Sequence, residues 1–591
     1  MGERWKKKIM HQGVAAALAL GCAGGASAIG GKYNLLGDDL EWTLSGYVRN
    51  HISVNLEDHD GFRNNGKEIG GAGQMSMNRN TAKYETNLKW KNIRLTWIGR
   101  NVREILTPYE KNLQENGYWG SFPLRIGGRP GSPTYTGKKF LLNWLPIGQE
   151  KDFLDHYDED QFARELYVDF DIGPRLHFRL GRQQVVWGEA DVFSAVDVIH
   201  GMDLKWRALF DDGEELRKPN TMANVTLKIP ELEGNLQLLW KPGIDGSHYH
   251  GSYPSLFGGR WTLTPLQGVN AMNLMPLNFH SKFGDVNDDE YGMRWTGTFK
   301  QVMYGISWWH GMSQAPVMNC RPSVYFPLTR REINVNPECE PYKGRNVPKE
   351  GRWAEGILGE IIFPVINTFG FTLNSYITPL DGVLRFEAAY TPDNPFAKGT
   401  HTWLLWDNLA QLSPGLRLFQ KKPLADVPLI GLDLPGSLGI KELDVLRYAF
   451  GFDKFMNSWQ KVFKSDAPPM VSVQMFDQWV MGDRHDVPES LAFASSMADH
   501  NTILSGALLL NYMYSTLNPT FAVGVDTNGG DAFSLIGLDY MPGSHWRIHS
   551  DIIALLPQHK KKDLSQPCDN CHLLGAFADD SQWSLRVSYY F

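Results

Sequence analysis

No stretch of 18 or more apolar residues occurs anywhere in the 591-residue chain, so no segment reads as a membrane-spanning helix. Excess positive charge is also missing. The net charge is −7, and a nucleic-acid partner would call for a basic surface. There is no Gly-x-Ser-x-Gly, no glycine-rich phosphate loop and no His-Glu-x-x-His. An enzymatic reading therefore has no visible nucleophile-and-base set to stand on. Cysteine is scarce, five residues in all.

What is abundant is glycine (59) and aromatic residues (20 Trp, 22 Tyr, 30 Phe), in a chain whose mean hydropathy is −0.33. A wall with one face to lipid and the other to water explains that mixture, because half of every strand must then be polar. Period-two alternation recurs throughout. It is plainest at the end, where Trp583, Leu585, Val587, Tyr589 and Phe591 alternate with Ser584, Arg586, Ser588 and Tyr590. The other end has Arg4, Lys6, Lys7 and Lys8, a short apolar run Val14–Cys22, and Ala26-Ser-Ala28. This is the pattern of a secretory signal peptide over residues 1–28, with lipidation of Cys22 as a rival reading. Its removal leaves 29–591 as a single domain with a net charge of about −10. The expected fold is all-β: an antiparallel transmembrane β-barrel of about 16–18 strands, set in the outer membrane of a Gram-negative bacterium. Expected strands include Ile357–Ile366 and Thr400–Trp406, and Leu517-Asn-Pro519 is read as a turn. Long segments at 104–160, 243–288, 312–355 and 408–445 are expected as folded extracellular loops or inward plugs.

The stretch Arg164–Leu204 carries the most information. A hairpin about Gly173-Pro174 places Leu166, Val168 and Phe170 opposite Leu176, Phe178 and Leu180. The other face holds Glu165, Tyr167, Asp169 and Asp171 against Arg175, His177, Arg179 and Arg182. Charges facing lipid are costly, so this set is expected to line the lumen. It forms either a self-satisfied ionic strip or a solute path. Beyond Arg182 the alternation fails, and Val185–Asp203, with Trp187, Glu189 and Asp191, is expected to fold inward and narrow the lumen. Glycines 181 and 188 allow the bends.

Arg164-Glu-x-Tyr-Val-Asp169, Leu180-Gly-Arg-Gln-x-Val-x-Trp-Gly-Glu-x-Asp191 and Asp197-Val-Ile199 resemble the Gram-negative outer-membrane barrel family known as domain of unknown function thirteen-zero-two. Arg79–Arg100 and the last strand are similar to it too, so the likeness spans the chain beyond residue 28. Where that pattern has Asn-Pro after Val-Ile, this chain has His200-Gly201. The resemblance implies a channel or export conduit for small hydrophobic or amphipathic molecules. It also implies company with an inner-membrane exporter of the resistance-nodulation-division type and a periplasmic lipid-carrier-like lipoprotein. It implies no catalytic residue.

Cys320 and Cys339 share one long loop and are expected to form a disulfide. Cys568-Asp-Asn-Cys571-His572 fits the attachment signature of c-type haem. It can equally close a small disulfide ring or, with a further ligand, hold zinc. With Phe591 at the periplasmic end this loop lies outside the cell, which is awkward for haem attachment, so no cofactor is expected. A barrel sheath for an electron-transfer complex is the alternative function, and an outer-membrane hydrolase a second. Asp526-Thr-Asn-Gly-Gly-Asp531 lacks the later bidentate glutamate of a calcium loop and reads as a hairpin turn. Lys560-Lys-Lys562 faces outer-membrane lipid and lipopolysaccharide as its expected surroundings.

Overall fold

Alternation builds a closed wall. In the computed structural model the strands are β1 (Ile29–Leu35), β2 (Asp38–Asn55), β3 (Met75–Trp90), β4 (Ile93–Glu104), β5 (Glu159–Ile172) and β6 (Leu176–Gln183). They continue as β7 (Asn220–Ile229), β8 (Gly234–Lys241), β9 (Glu290–Phe299), β10 (Val302–Met312), β11 (Val365–Ile377), β12 (Gly382–Lys398) and β13 (Gly439–Phe455). The last six are β14 (Met470–Val480), β15 (His500–Leu509), β16 (Leu517–Asp526), β17 (Ala532–Tyr540), β18 (Trp546–Leu556) and β19 (Gln582–Tyr590). The structure describes residues 29–591 apart from 59–62, 65–66, 69–70, 117–122, 126–133, 137–156, 191–192, 209, 246–249, 254–258, 263–275, 327–330, 335, 337, 343–358, 401–402, 406–430, 434–435, 490–494 and 561–569. The expected signal peptide lies outside the described residues.

Strands β2 to β19 form an 18-strand antiparallel barrel. It closes where β19 pairs with β2, from Tyr47↔Tyr590 to Asn55↔Gln582. Closure leaves no edge with unpaired N–H and C=O groups in lipid. β1 lies on the same side of β2 as β19, pairing Ile29↔Leu44 through Leu35↔Asp38, and so prolongs the β19 column past the barrel end.

Loop length sorts the two ends. Connections at 91–92, 173–175, 230–233, 300–301, 378–381 and 541–545 are tight, while 105–158, 184–219, 242–289 and 313–364 leave from the opposite rim. The outer face is apolar, with Leu166, Ile172, Leu180, Ile536 and Ile552 exposed. The rings of Phe170 and Phe178 stack at 5.0 Å. The inner face holds buried Arg49, Arg79, Glu387 and Arg586.

Three expectations are corrected. Ile357–Ile366 is not one strand. Gly359–Ile362 pairs with Val317–Cys320 in a separate two-stranded cap, and the wall resumes only at Val365. Pro364, which has no N–H to give to a ladder, marks the break. Among the described residues of 400–406, Trp403–Leu405 is the strand, and it pairs outside the barrel with Gly431–Asp433. Its unbroken apolar run lacks the alternation a wall strand needs. Leu517–Pro519 belongs to β16, and the turn precedes it, with left-handed backbone at Met513, Tyr514 and Ser515.

Candidate functional site: a segment that crosses the lumen

The charged hairpin forms an ionic strip on the inner wall. Register pairs Arg179 with Asp169 and His177 with Asp171. Arg179 Nε donates to Asp169 Oδ1 at 2.7 Å, and its guanidinium lies 4.4 Å from the Tyr167 ring centroid. His177 Nδ1 meets Asp171 Oδ1 at 2.9 Å, and buried Glu165 accepts from Gln184 Nε2 at 3.0 Å. Two expected members sit elsewhere. Arg175 is at the turn, exposed and paired with Glu231 at 2.5 Å. Arg182 is in register with outward Leu166 and is taken by Asp245 of the next loop, because strand parity puts it opposite Arg179.

At Gln184 the chain leaves the wall, and it returns at Asn220. The segment between is longer than the expected Val185–Asp203. Its first half is apolar. Val185, Trp187, Ala195, Val196 and Ile199 pack as one buried cluster with wall residues Met222, Leu239, Trp309 and Ala389. Trp187 Nε1 donates to Gln237 Oε1 at 2.9 Å, and its ring meets Trp309 edge-on at 6.3 Å. Glu189 pairs with Arg294 at 3.3 Å. Asp191 lies outside the described residues.

Glu387 of β12 grips the tip of this half. Its Oε1 accepts from the backbone N–H groups of Glu189 and Ala190, the latter at 2.7 Å. Its Oε2 accepts from Ser194 Oγ (2.8 Å), Ala195 N–H (2.8 Å) and Val196 N–H (3.3 Å). Arg385 donates to the Glu189 carbonyl at 2.8 Å, and Gln474 Nε2 to that of Phe193 at 2.8 Å. Glycine is required at 188, where a Cβ would come within 2.1 Å of Ser194 Oγ.

The second half is anchored on the opposite wall. Arg79 of β3 pairs with Asp211 at 2.8 Å, and Arg49 of β2 with Glu215 at 2.8 Å. Glu387 is on β12, nine strands round a ring of 18 from β3, so the segment spans the bore. Burial pushes the Glu215 carboxyl up, but Arg49, Arg79 and Arg100 outweigh it and hold it down to about 2. His200 joins the two ends of the segment. Its Nε2 accepts from Val185 N–H at 2.9 Å, and its Nδ1 bonds the Lys218 carbonyl at 2.8 Å. Burial, with Lys241 and Arg217 nearby, holds this imidazole down to about 3.

Neither Glu387 nor Asp211–Glu215 was among the residues expected to line the path. Glu387 offered one signal, an acid two residues from Arg385 on the inward face of its strand. Asp211-Asp-Gly-Glu-Glu215 reads in sequence as an ordinary solvated turn.

The cysteines sit in the loops. Cys320 and Cys339 form a disulfide with 5.9 Å between Cα atoms. Cys568 lies outside the described residues. Cys571 is disulfide-bonded and buried, and a thioether to haem needs the same sulfur. His572 Nδ1 is hydrogen-bonded to Glu489 Oε2 at 2.6 Å, and Gly529 sits so close to the ring that a Cβ there would be 2.3 Å from it. Cys571 and His572 as folded therefore do not fit haem attachment. Lys560 pairs with Asp579 at 2.7 Å, while Lys561 and Lys562 lie outside the described residues.

The pattern of the family described as protein of unknown function (DUF1302) matches residues 9–481. The chain belongs to that family. Solved structures similar to this DUF1302 protein include outer membrane proteins. OccAB1 of Acinetobacter baumannii is 9% identical, covering 93% of this chain and 96% of its own, with a TM-score of 0.41. OpdK of Pseudomonas aeruginosa is 9% identical, covering 93% and 98%, with a TM-score of 0.39. OmpF of Salmonella typhi, in complex with daunomycin, is 7% identical, covering 95% and 100%, with a TM-score of 0.34. No curated protein sequence matches the chain.

Proposed function

We propose that this DUF1302 protein is an outer-membrane channel for small organic molecules of hydrophobic or amphipathic character. The lumen segment Gln184–Pro219 decides whether it conducts. The observation that carries this reading is the crossing itself. A covalently tethered segment spans the bore and is held on both walls by hydrogen bonds, ion pairs and apolar packing, all of which can be released. A segment needed only to stiffen the barrel would not have to bridge opposite walls. The apolar face of its first half and the ionic face of its second suit a solute with both characters.

The family resemblance supports export, with a resistance-nodulation-division exporter and a lipid-carrier-like lipoprotein as periplasmic partners. The reading assigns no catalytic step and no cofactor.

Planar-bilayer recording tests it. The native barrel should show small, infrequent conductance steps. A variant with Gln184–Pro219 replaced by a short Gly-Ser loop should conduct continuously. Arg179→Glu in that variant should shift its ion selectivity toward cations. A shortened barrel that inserts but carries no current would refute the channel.

A further inference from the structure

Six cations of the inner wall lie on neighbouring strands. Arg49 (β2), Arg79 and Lys83 (β3), Arg100 (β4), Arg164 (β5) and Arg586 (β19) come from five adjacent strands. Four of them end on carboxylates of the single stretch Asp211-Asp-Gly-Glu-Glu215. Arg79 meets Asp211 at 2.8 Å, Arg586 meets Asp212 at 2.9 Å, Lys83 meets Glu214 at 2.8 Å and Arg49 meets Glu215 at 2.8 Å. Tyr47 also donates its hydroxyl to Glu215. The other two guanidiniums take backbone. Arg164 Nη2 donates to the carbonyls of Glu214, Glu215 and Arg217 at 3.1, 3.0 and 2.7 Å. Arg100 pairs with Glu159 of the wall at 2.7 Å and donates to the Glu215 carbonyl at 3.3 Å.

When the segment lifts away, Arg49, Arg79, Lys83 and Arg586 lose their carboxylates together. Arg49 and Arg79 are buried under the docked segment, and lifting leaves all four cations facing the lumen as a patch of one sign with no counter-ions, which concentrates anions. The lifted state is thus a state that attracts anions. Any solute that supplies a carboxylate there, and cannot reach the wall while the segment is docked, shifts the equilibrium toward lifting by simple linkage. The same movement uncovers wall residues Trp309, Leu239 and Met222, against which the apolar half of the segment packs. A solute that satisfies both surfaces has a carboxylate head and an apolar body.

We propose that Arg49, Arg79, Lys83 and Arg586 form a binding site for the carboxylate of an amphipathic organic acid, and that Asp211–Glu215 occupies this site as an internal competitor. The inference rests on the channel reading and names its solute class.

The test is calorimetric titration of the detergent-solubilised full barrel with hexanoate, using hexanamide as the uncharged probe. The doubly neutralised competitor Asp211→Asn/Glu215→Gln should bind hexanoate at least tenfold more tightly than the native protein. Arg49→Gln/Arg79→Gln should lose that binding, and Arg79→Lys, which keeps the charge, should hold affinity within about threefold of native. Glu214→Gln, at an exposed carboxylate where folding is not at stake, should give a gain of a few-fold. Equal affinity across the native and neutralised proteins would overturn the proposal, as would hexanamide binding as well as hexanoate or loss of binding in Arg79→Lys. The titration needs no current, so a barrel that never conducts would refute the channel and leave this result readable.

Discussion

Glu387→Gln should unlatch the lumen segment while leaving the barrel intact. The carboxylate takes five donors, two on Oε1 and three on Oε2. The amide keeps one oxygen and turns an NH₂ group toward the donors of the other, so two or three lose their acceptor in a buried site. Each buried donor left unsatisfied costs roughly 1–3 kcal/mol, and a bond to a charged acceptor is worth more than one to a neutral amide. Some repacking will recover part of this, so the docked state should lose roughly 3–4 kcal/mol. At about 1.4 kcal/mol per decade, that moves the docked-to-lifted ratio by a factor of roughly 10²–10³. Single-channel recording reads this directly as open probability, and resistance of the barrel to heat and detergent on a gel reports whether the wall is unchanged. Gln474→Ala removes one neutral bond, from Gln474 to the Phe193 carbonyl, and should move the ratio only by about fivefold, or 1 kcal/mol. The reasoning fails if Glu387→Gln leaves open probability unchanged, or if the two variants behave alike.

Acid should unlatch the segment through His200. Its folded value, about 3, lies below the unfolded value near 6.5, so its contribution is complete above pH 6.5 and is lost as pH falls toward 3; by pH 4.5 the loss is about 3 kcal/mol. Open probability should rise over that window in the native barrel and stay flat in His200→Gln, and superimposable pH profiles would refute the assignment. In the outer cap, Cys320→Ser opens a disulfide spanning 19 residues and should destabilise that cap by about 3 kcal/mol. Limited proteolysis should then cut between 321 and 338 with the barrel untouched, and an unchanged cleavage pattern would show that the cap does not depend on the bond.

The wall was legible because alternation is a local property. Trp583–Phe591 and the Leu166/Glu165 hairpin show which face is which in five or six residues, and parity carries the assignment along the strand. Parity read strictly would also have put Arg182 on the outer face with Leu180. The inward segment was legible as a failure of the same pattern after Arg182, with Gly181 and Gly188 as the bends. Its partners were not. Four of the five donors to Glu387 are backbone N–H groups, which every residue but proline possesses, so only the Ser194 hydroxyl could have marked this stretch as its ligand. Asp211–Glu215 meets cations drawn from strands as far apart in sequence as Arg49 and Arg586. A contact of that separation exists only once the barrel has closed.

The attachments of the segment differ in kind, and that difference suggests how the barrel is worked. Burial of Trp187, Val196 and Ile199 is non-directional and contributes about 1.5–3 kcal/mol for each large side chain. It makes the segment prefer the lumen without fixing its position. Position comes from the polar latches, each with its own trigger. Glu387 reads the backbone of Glu189–Ala190 and Ser194–Val196 together, so anything that separates the two releases it. His200 ties Val185 to Lys218 only while uncharged, so protons release it. Asp211–Glu215 holds the cationic wall, and on the proposal above a competing carboxylate displaces it. The latches lie on opposite walls and on one continuous segment, so release of one lowers the contact free energy holding the segment in place. On the channel reading proposed above, water satisfies no latch fully, and a barrel arranged this way should open to a molecule that brings an acid group and an apolar body together.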